Sequence, residues 1–396
     1  MPTFADTSNS SLAYVEEVTF DTPPTTGFKL LRNTSEGFNA SIESADSDEI
    51  DADRQFTGSV HVSGSSPGNV GLQLSYGEYD PFLEAVLQSA DWTAGYSDTI
   101  TDISSRVCTV SDTTGLKTGL LIKVTGLTVS SEDGVFTVES VTNGTTFTVV
   151  EAVTDEGSAT AAATNGGVIE NASESRSFTF EKNFIVDGTD NFFLFSGQRA
   201  SSLSLSMTTG SIVSGELAFM GATPAASATS QEASSYSPAL TNELMNSVSN
   251  VKGLAMYSVA PNGTATLITG ATFQELSLSI SNNLRDQPAV GSLFPQGIGS
   301  ARIKVEATAS LYFANRELFD QFLVNGSLQI RFQLTDAKDA YGNRYGFVLP
   351  ELKISSHEAT AGGTDSDIMA SVSFAAQKDA RSGTAKSIMV TRIPSV

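Results

Sequence analysis

The densest set of side chains able to do chemistry is a run of acids, Glu43, Asp46, Asp48, Glu49, Asp51 and Asp53, closed by Arg54. Carboxylates at alternate positions are what a calcium loop uses, because a hard cation collects many oxygen ligands. Asp46, Asp48 and Asp51 approximate that spacing, but the glycine turn and the terminal bidentate Glu of the hand motif are missing. The run therefore reads as an exposed or interface loop, and a calcium site is the sharper, less supported alternative. The remaining reactive residues are few: two histidines, His61 and His357, and one cysteine, Cys108. They cannot build a thiolate or imidazole metal cage, and a single Cys excludes an intramolecular disulfide. His61, between Val60 and Val62, reads as a strand-surface residue, and His357 beside Glu358 reads the same way. Cys108, near Val107 and Val110, reads as a small buried apolar residue. There is no phosphate-binding Gly-rich loop ending in Lys-Ser/Thr, no G-x-S-x-G elbow and no H-E-x-x-H. No catalytic residue, cofactor or metal is expected. Trp92, the only tryptophan, lies near Tyr76, Tyr79 and Tyr96. These rings could stack on a sugar, but a core edge or subunit contact is the reading preferred.

The elements that must hold these residues are mostly strands. Leu203, Leu205 and Met207 alternate with Ser202, Ser204 and Ser206, and Leu276, Leu278 and Ile280 alternate with Ser277, Ser279 and Ser281. Period-two alternation predicts strands that bury one face and show small hydroxyls on the other. Two helices are predicted. Asp80 caps the first, Pro81 opens it, and Phe82, Leu83, Val86 and Leu87 form its apolar stripe. The second starts near Asn315, carries Leu318, Phe319, Phe322 and Leu323 into the core, and stops at Asn325-Gly326.

Composition narrows the class. The chain has 396 residues, 40% hydrophobic and only 17% charged, with 33 Gly and 23 Phe. That is long enough for two or three cores. The 44 acids against 22 bases give a net charge of −22, the wrong sign for a nucleic-acid reader that works by neutralising phosphates. The acidity is concentrated at the front: residues 1–95 hold 15 acids and 3 bases. No apolar run reaches the length of a membrane span, and Met1 to Ser11 lacks the basic start and apolar core of a secretion signal. A soluble chain made in the cytoplasm, with no membrane partner, is the expectation.

An internal repeat organises the chain. Residues 36–43, a polar loop, a strand at 68–75 and the first helix recur as residues 274–281, a loop through Arg285, a strand at 302–311 and the second helix. The hairpin at 176–199 then matches 328–350, and the closing strand 214–220 matches 369–374. The first copy carries about 87 extra residues after its helix, where Thr114-Gly115, Asp133-Gly134 and Asn143-Gly144 separate short strands. The predicted fold is mainly β: two duplicated β-sandwich or barrel domains, each with one flanking α-helix, plus an inserted small β domain. The boundaries are an N-terminal arm at 1–26, first domain at 27–95 and 168–221, insert at 96–167, linker at 222–251 and second domain at 252–396. The arm, with Pro23 and Pro24, reads as a segment that orders on binding.

One stretch goes further. Tyr14-Val15-Glu16-Glu17-Val18-Thr19-Phe20-Asp21-Thr22-Pro23-Pro24, followed by Phe28-Lys29-Leu30-Leu31-Arg32, Asp53-Arg54-Gln55 and Leu74-Ser75-Tyr76-Gly77, resembles the major tail tube proteins of long-tailed, siphovirus-type bacteriophages. Arg176-Ser177-Phe178-Thr179-Phe180-Glu181-Lys182, Phe219-Met220-Gly221 and Asn282-Asn283-Leu284-Arg285-Asp286-Gln287-Pro288 extend the likeness over 10–96 and 167–396. The resemblance implies a structural virion protein of the tail, with no enzymatic activity, whose subunits close their sheets into rings that stack into a hollow tube for DNA. Its implied partners are itself, as three chains with pseudo-sixfold symmetry or six chains, tail tip and terminator proteins, and a tape measure protein and DNA in the lumen without specific DNA binding. Contact candidates between subunits or rings are Glu43, Asp46, Asp48, Glu49, Asp51, Asp53, Arg54, Arg285 and Asp286, with Arg302 and Lys304 as basic partners. A surface adhesin built of β modules and a carbohydrate-binding virion protein are the alternatives.

Overall fold

The computed structural model describes residues 4–50, 58–261, 265–336, 342–361, 364, 366–379 and 386–395. Asp51, Asp53 and Arg54 lie outside the described residues.

The alternating segments build a wall of eight antiparallel strands. In spatial order these are Ser35–Glu36, Gly68–Gln73, Ser214–Met220, the end of Thr189–Thr208, Thr272–Ser281, Lys304–Tyr312, Met369–Ala376 and the end of Arg344–Thr360. Four strands come from each half, and the same order of sequence positions runs through both. A second layer lies beneath. In the first half it holds Ser10–Glu16, Phe178–Val186, the start of Thr189–Thr208 and Pro224–Ser227. In the second half it holds Val251–Val259, Ser327–Thr335, the start of Arg344–Thr360 and Met389–Ile393. The two long strands, Thr189–Thr208 and Arg344–Thr360, pair in the second layer at their starts and in the wall at their ends, so each carries the chain from one layer to the other.

Phenylalanines fill the space between the layers because a sandwich core needs large apolar volumes facing inward from both sheets. Phe38 stacks on Phe180 at 4.4 Å, Phe82 lies 5.1 Å from Phe178, and Phe332 stacks on Phe347 at 4.8 Å. One continuous apolar cluster runs through both halves, from Leu12 to Val390.

Segment 1–26 is more than an arm. Ser10–Glu16 pairs with Phe178–Val186 over seven residues, and Leu12, Ala13 and Tyr14 are buried. Burying three apolar side chains in a ladder holds Ser10–Glu16 in the second layer of the first half. Nor is 36–43 one strand. The wall keeps Ser35–Glu36, while Ser41–Asp46 turns out of it and pairs with Ser59–Ser65 as a separate hairpin. Glu43 and Asp46 of the acidic run lie on its first strand, which is exposed on both faces.

Helix α1 is Asp80–Leu87 and helix α2 is Glu317–Leu323. Asp80 opens α1 rather than capping it: no side chain caps this helix, and the Asp80 carboxylate is directed at the second half instead. α1 ends at Gln88, in the left-handed region at φ 48°. Its apolar stripe is buried as expected. That of α2 is not: Leu318 is buried, but Phe319, Leu323 and Val324 are exposed. The difference comes from the neighbours, since α1 is covered by the returning segment 168–178 and by second-half side chains, whereas α2 returns directly into Ser327–Thr335.

Residues 97–164 form a closed six-stranded barrel with its own core, including Ile100, Phe136, Val138 and Phe147. It enters and leaves the chain beside α1 but rests on the second half. Leu120 clusters with Val168, Val348 and Met389. Leu121 lies so close over Gly346 that a Cβ there would meet it at 2.3 Å, so only glycine leaves room for this contact.

Candidate functional site

Three features carry the chemistry of this chain. The first is the seam joining the halves. The end of Thr189–Thr208 pairs with Thr272–Ser281 from Ser202↔Ser281 to Thr208↔Glu275. The two segments with the clearest Leu/Ser alternation thus meet each other: Leu203 faces Ile280 and Leu205 faces Leu278, all buried. The seam is reinforced beneath by a polar junction. The Tyr345 hydroxyl donates to the Asp80 carboxylate, and the Gly77 N–H donates to the Tyr345 oxygen at 2.7 Å. Arg392 reaches the other Asp80 oxygen at 2.8 Å and lies 4.8 Å over the Trp92 ring. Full burial and the Asp80 charge push the Tyr345 phenol well above its ordinary value. Trp92, with Arg392 over its ring, is therefore a core-edge contact, and Tyr76 packs against Tyr345 at 5.0 Å.

The second feature is the outer face of the wall. Ser204, Ser206, Ser277, Ser279, Thr308, Ser371 and Ser373 stand on it, and Glu216, Glu275, Glu306 and Glu358 are interspersed among them. Glu306 is paired with Lys304 at 2.9 Å. The sequence predicted the hydroxyls; which acids join them depended on the cross-strand register.

The third feature is the pair of open edges at the ends of the wall. At one end, residues 353–360 pair only with Met369–Ala376 among the described residues. At the other, Ser35–Glu36 pairs only with Gly68–Gln73. An unpaired strand edge is a template for another chain.

The acidic hairpin and the Arg285–Gln287/Gly297–Gly299 hairpin come together at one end of the molecule, where the Gly64 N–H donates to the Leu293 carbonyl at 2.8 Å. Glu43 accepts from Ser63 at 2.9 Å, and Asp46, Asp48, Glu49, Arg285 and Asp286 are exposed. Partial burial raises the Asp286 carboxyl. No ion pair joins the two hairpins among the described residues, and no cluster of three metal-ligating side chains occurs among them. His61 is exposed on its strand, and Cys108 is buried in the barrel, where desolvation pushes its thiol up to about 12. A cleft of about 890 Å³ between the barrel and the second half is lined by Glu151, Glu243, Lys252 and Asp336, and among the described residues no aromatic ring lines it for a sugar to stack on.

A β-rich chain whose halves are joined through a strand ladder, and whose wall ends in open edges, belongs to the class of structural, sheet-pairing proteins. Residues 7–376 match the model of the phage tail tube protein family, and the chain belongs to that family. No curated protein matches it significantly. The chain is thus a structural component of the phage tail tube.

Proposed function

We propose that this chain is the repeating subunit of a siphovirus-type tail tube. Its two halves act as copies of one unit, three chains close a ring of six units, and rings stack into a hollow tube through which DNA leaves the virion. The observation that carries this reading is the internal seam. In it the end of Thr189–Thr208 pairs with Thr272–Ser281, and the two ends of the wall carry a strand of each of these kinds with its outer edge open, which supports the reading. Repeating that contact between chains closes the wall and removes its edges.

In this arrangement the hydroxyl face lines the lumen, where Glu216, Glu275, Glu306 and Glu358 repel the phosphate backbone so that DNA passes without adhering. The exposed end hairpins, with Glu43, Asp46, Asp48, Glu49, Arg285 and Asp286, meet the next ring, and Asp51, Asp53 and Arg54 are assigned to the same contact from the sequence alone. Tail tip and terminator proteins cover the tube's ends, and a tape measure protein occupies the lumen before ejection. The barrel decorates the exterior. Negative-stain microscopy of the concentrated chain tests the reading. Hollow rings with threefold end views are expected; particles that stay monomeric at high concentration, or rings of six chains, refute the three-chain ring.

A further inference from the structure

The chain seals one of its two sandwiches and leaves the other open. Each second-layer hairpin carries one bulge, between Phe178 and Phe180 in the first half and between Leu328 and Ile330 in the second. Counted from that bulge, the cross-strand pair Phe332↔Phe347 stands where Lys182↔Phe193 stands, and Leu334↔Tyr345 stands where Phe184↔Asn191 stands. In the second half all four residues are buried. The first half closes them off: Tyr76, in the connector between Gly68–Gln73 and α1, packs 5.0 Å from Tyr345, and Trp92, just beyond α1, lies 6.3 Å from it. In the first half the same depth of the sandwich is uncovered. Phe184 and Phe193 are half-buried, Asn191 is exposed, and among the described residues the two rings pack only on each other, at 5.6 Å. Lys182 lies in the mouth of this opening, its Nζ 5.2 Å over the Phe184 ring and donating to the Phe38 carbonyl at 2.7 Å.

The second half repeats the sealing elements at the far end of the wall. Phe313 lies in the connector between Lys304–Tyr312 and α2, as Tyr76 lies in the connector before α1, and it is 43% exposed. Phe319 and Leu323, four residues apart and so on one side of α2, are 41% and 66% exposed. This apolar face borders the open edge of the wall. Phe319 lies 5.5 Å from His357, on the stretch 353–360 that pairs only with Met369–Ala376 among the described residues. The placement of the two helices is parallel: α1 straddles the internal seam, touching Thr189–Thr208 on one side and Thr272–Ser281 on the other, and α2 packs on Arg344–Thr360 at the edge where the wall stops.

We infer that this face of α2 is the seat of a second copy of the chain: Phe313, Phe319 and Leu323 cover the Phe184–Phe193 opening of the next subunit, as Tyr76 and Trp92 cover Tyr345 within one chain. The inference rests on the ring reading above and names the apolar surface that joins its chains. A second copy is the occupant because the contact continues one the chain already makes at its internal seam, where a helix and its connector close the sandwich of the following half. Contiguous exposed apolar side chains mark an association surface. The contact is heterologous, α2 of one chain against the opening of the next, so it repeats head to tail until the ring closes.

The test uses full-length chains, with sedimentation and negative-stain microscopy to follow rings and Trp92 fluorescence to confirm that the internal junction is folded. Phe319→Glu/Leu323→Glu places two carboxylates in the contact at positions exposed in the free chain. It is expected to raise the concentration needed for rings at least ten-fold while the chain stays a folded monomer. A second measurement reads the contact in rings that do form. Cys108 is buried in the barrel, which leaves a thiol label to an introduced cysteine. Leu323→Cys carrying a polarity-sensitive fluorophore, mixed with excess unlabelled chain, should shift to the blue as rings form. The same label at Ser140→Cys, on the exposed surface of the barrel, should not shift. Rings of the double Glu variant at the wild-type concentration, or rings in which the label at 323 does not shift, overturn the inference and leave the ring standing. A wild-type chain that forms no ring overturns both.

Discussion

Replacing Tyr345 by Phe removes one hydroxyl from the junction between the halves and leaves the packing volume almost unchanged. That hydroxyl donates to Asp80 and accepts from the Gly77 N–H. A hydrogen bond to a carboxylate contributes about 2 kcal/mol, and an N–H left without its acceptor in a half-buried site costs about 1 kcal/mol. Arg392 still holds Asp80, so the carboxylate is not stranded. The expected loss is about 3 kcal/mol, roughly a 150-fold fall in the folded-to-unfolded ratio. Trp92 reports this junction directly: it is the only tryptophan, its ring lies under Arg392, and it is 6.3 Å from the Tyr345 ring. Urea titration followed by Trp92 fluorescence measures the loss. In an Asp80→Asn background the same replacement should cost about 2 kcal/mol, because the amide oxygen still accepts but without a charge. A loss below about 0.5 kcal/mol, or the same loss in both backgrounds, refutes the argument that this bond couples the halves.

Glu17 is buried and accepts from Asp21 N, Gly197 N, Ser177 Oγ and Thr179 Oγ1, so Glu17→Ala should cost about 3–5 kcal/mol, measured by thermal or denaturant unfolding. Gly346→Val forces Leu121 out of its seat and should loosen the barrel from the second half; hydrogen exchange is expected to rise at the contact while the barrel core around Phe136 and Phe147 stays protected. Burial pushes the phenols of Tyr76 and Tyr79 up to about 12, whereas unfolded tyrosines ionise near 10. The folded chain then keeps protons that the unfolded chain gives up, so their contribution is intact below about pH 10 and lost as pH rises towards 12. Absorbance at the phenolate band during alkaline unfolding should show these tyrosines ionising with the transition, not before it. Reversing Glu216, Glu275 and Glu306 to Lys should leave tubes that retain DNA at low salt and release it at high salt, read by co-sedimentation.

Much of the local structure was legible in the residues themselves. Alternation of Leu and Ser marked the wall strands because a strand's side chains change face at every residue, and Asn-Gly and Asp-Gly turns bounded the barrel strands. The scarcity of His and Cys limited the chemistry before any fold was known, and the motifs that carried the family resemblance lie along the backbone of the same fold. What the sequence left undecided concerned contacts between distant segments. Residues 36–43 alternate as one strand should, yet the chain leaves the wall after Asn39, whose N–H still donates to Pro67, and Ser41–Asp46 pairs with Ser59–Ser65 instead. The stripe on α2 has the same period as that on α1, but burial depends on what covers a helix, and period cannot report a missing neighbour. The barrel's seat on the second half rests on Gly346 and Leu121, more than two hundred positions apart. The meeting of Leu205 with Leu278 follows from strand register, which is a property of two segments together and is written in neither alone.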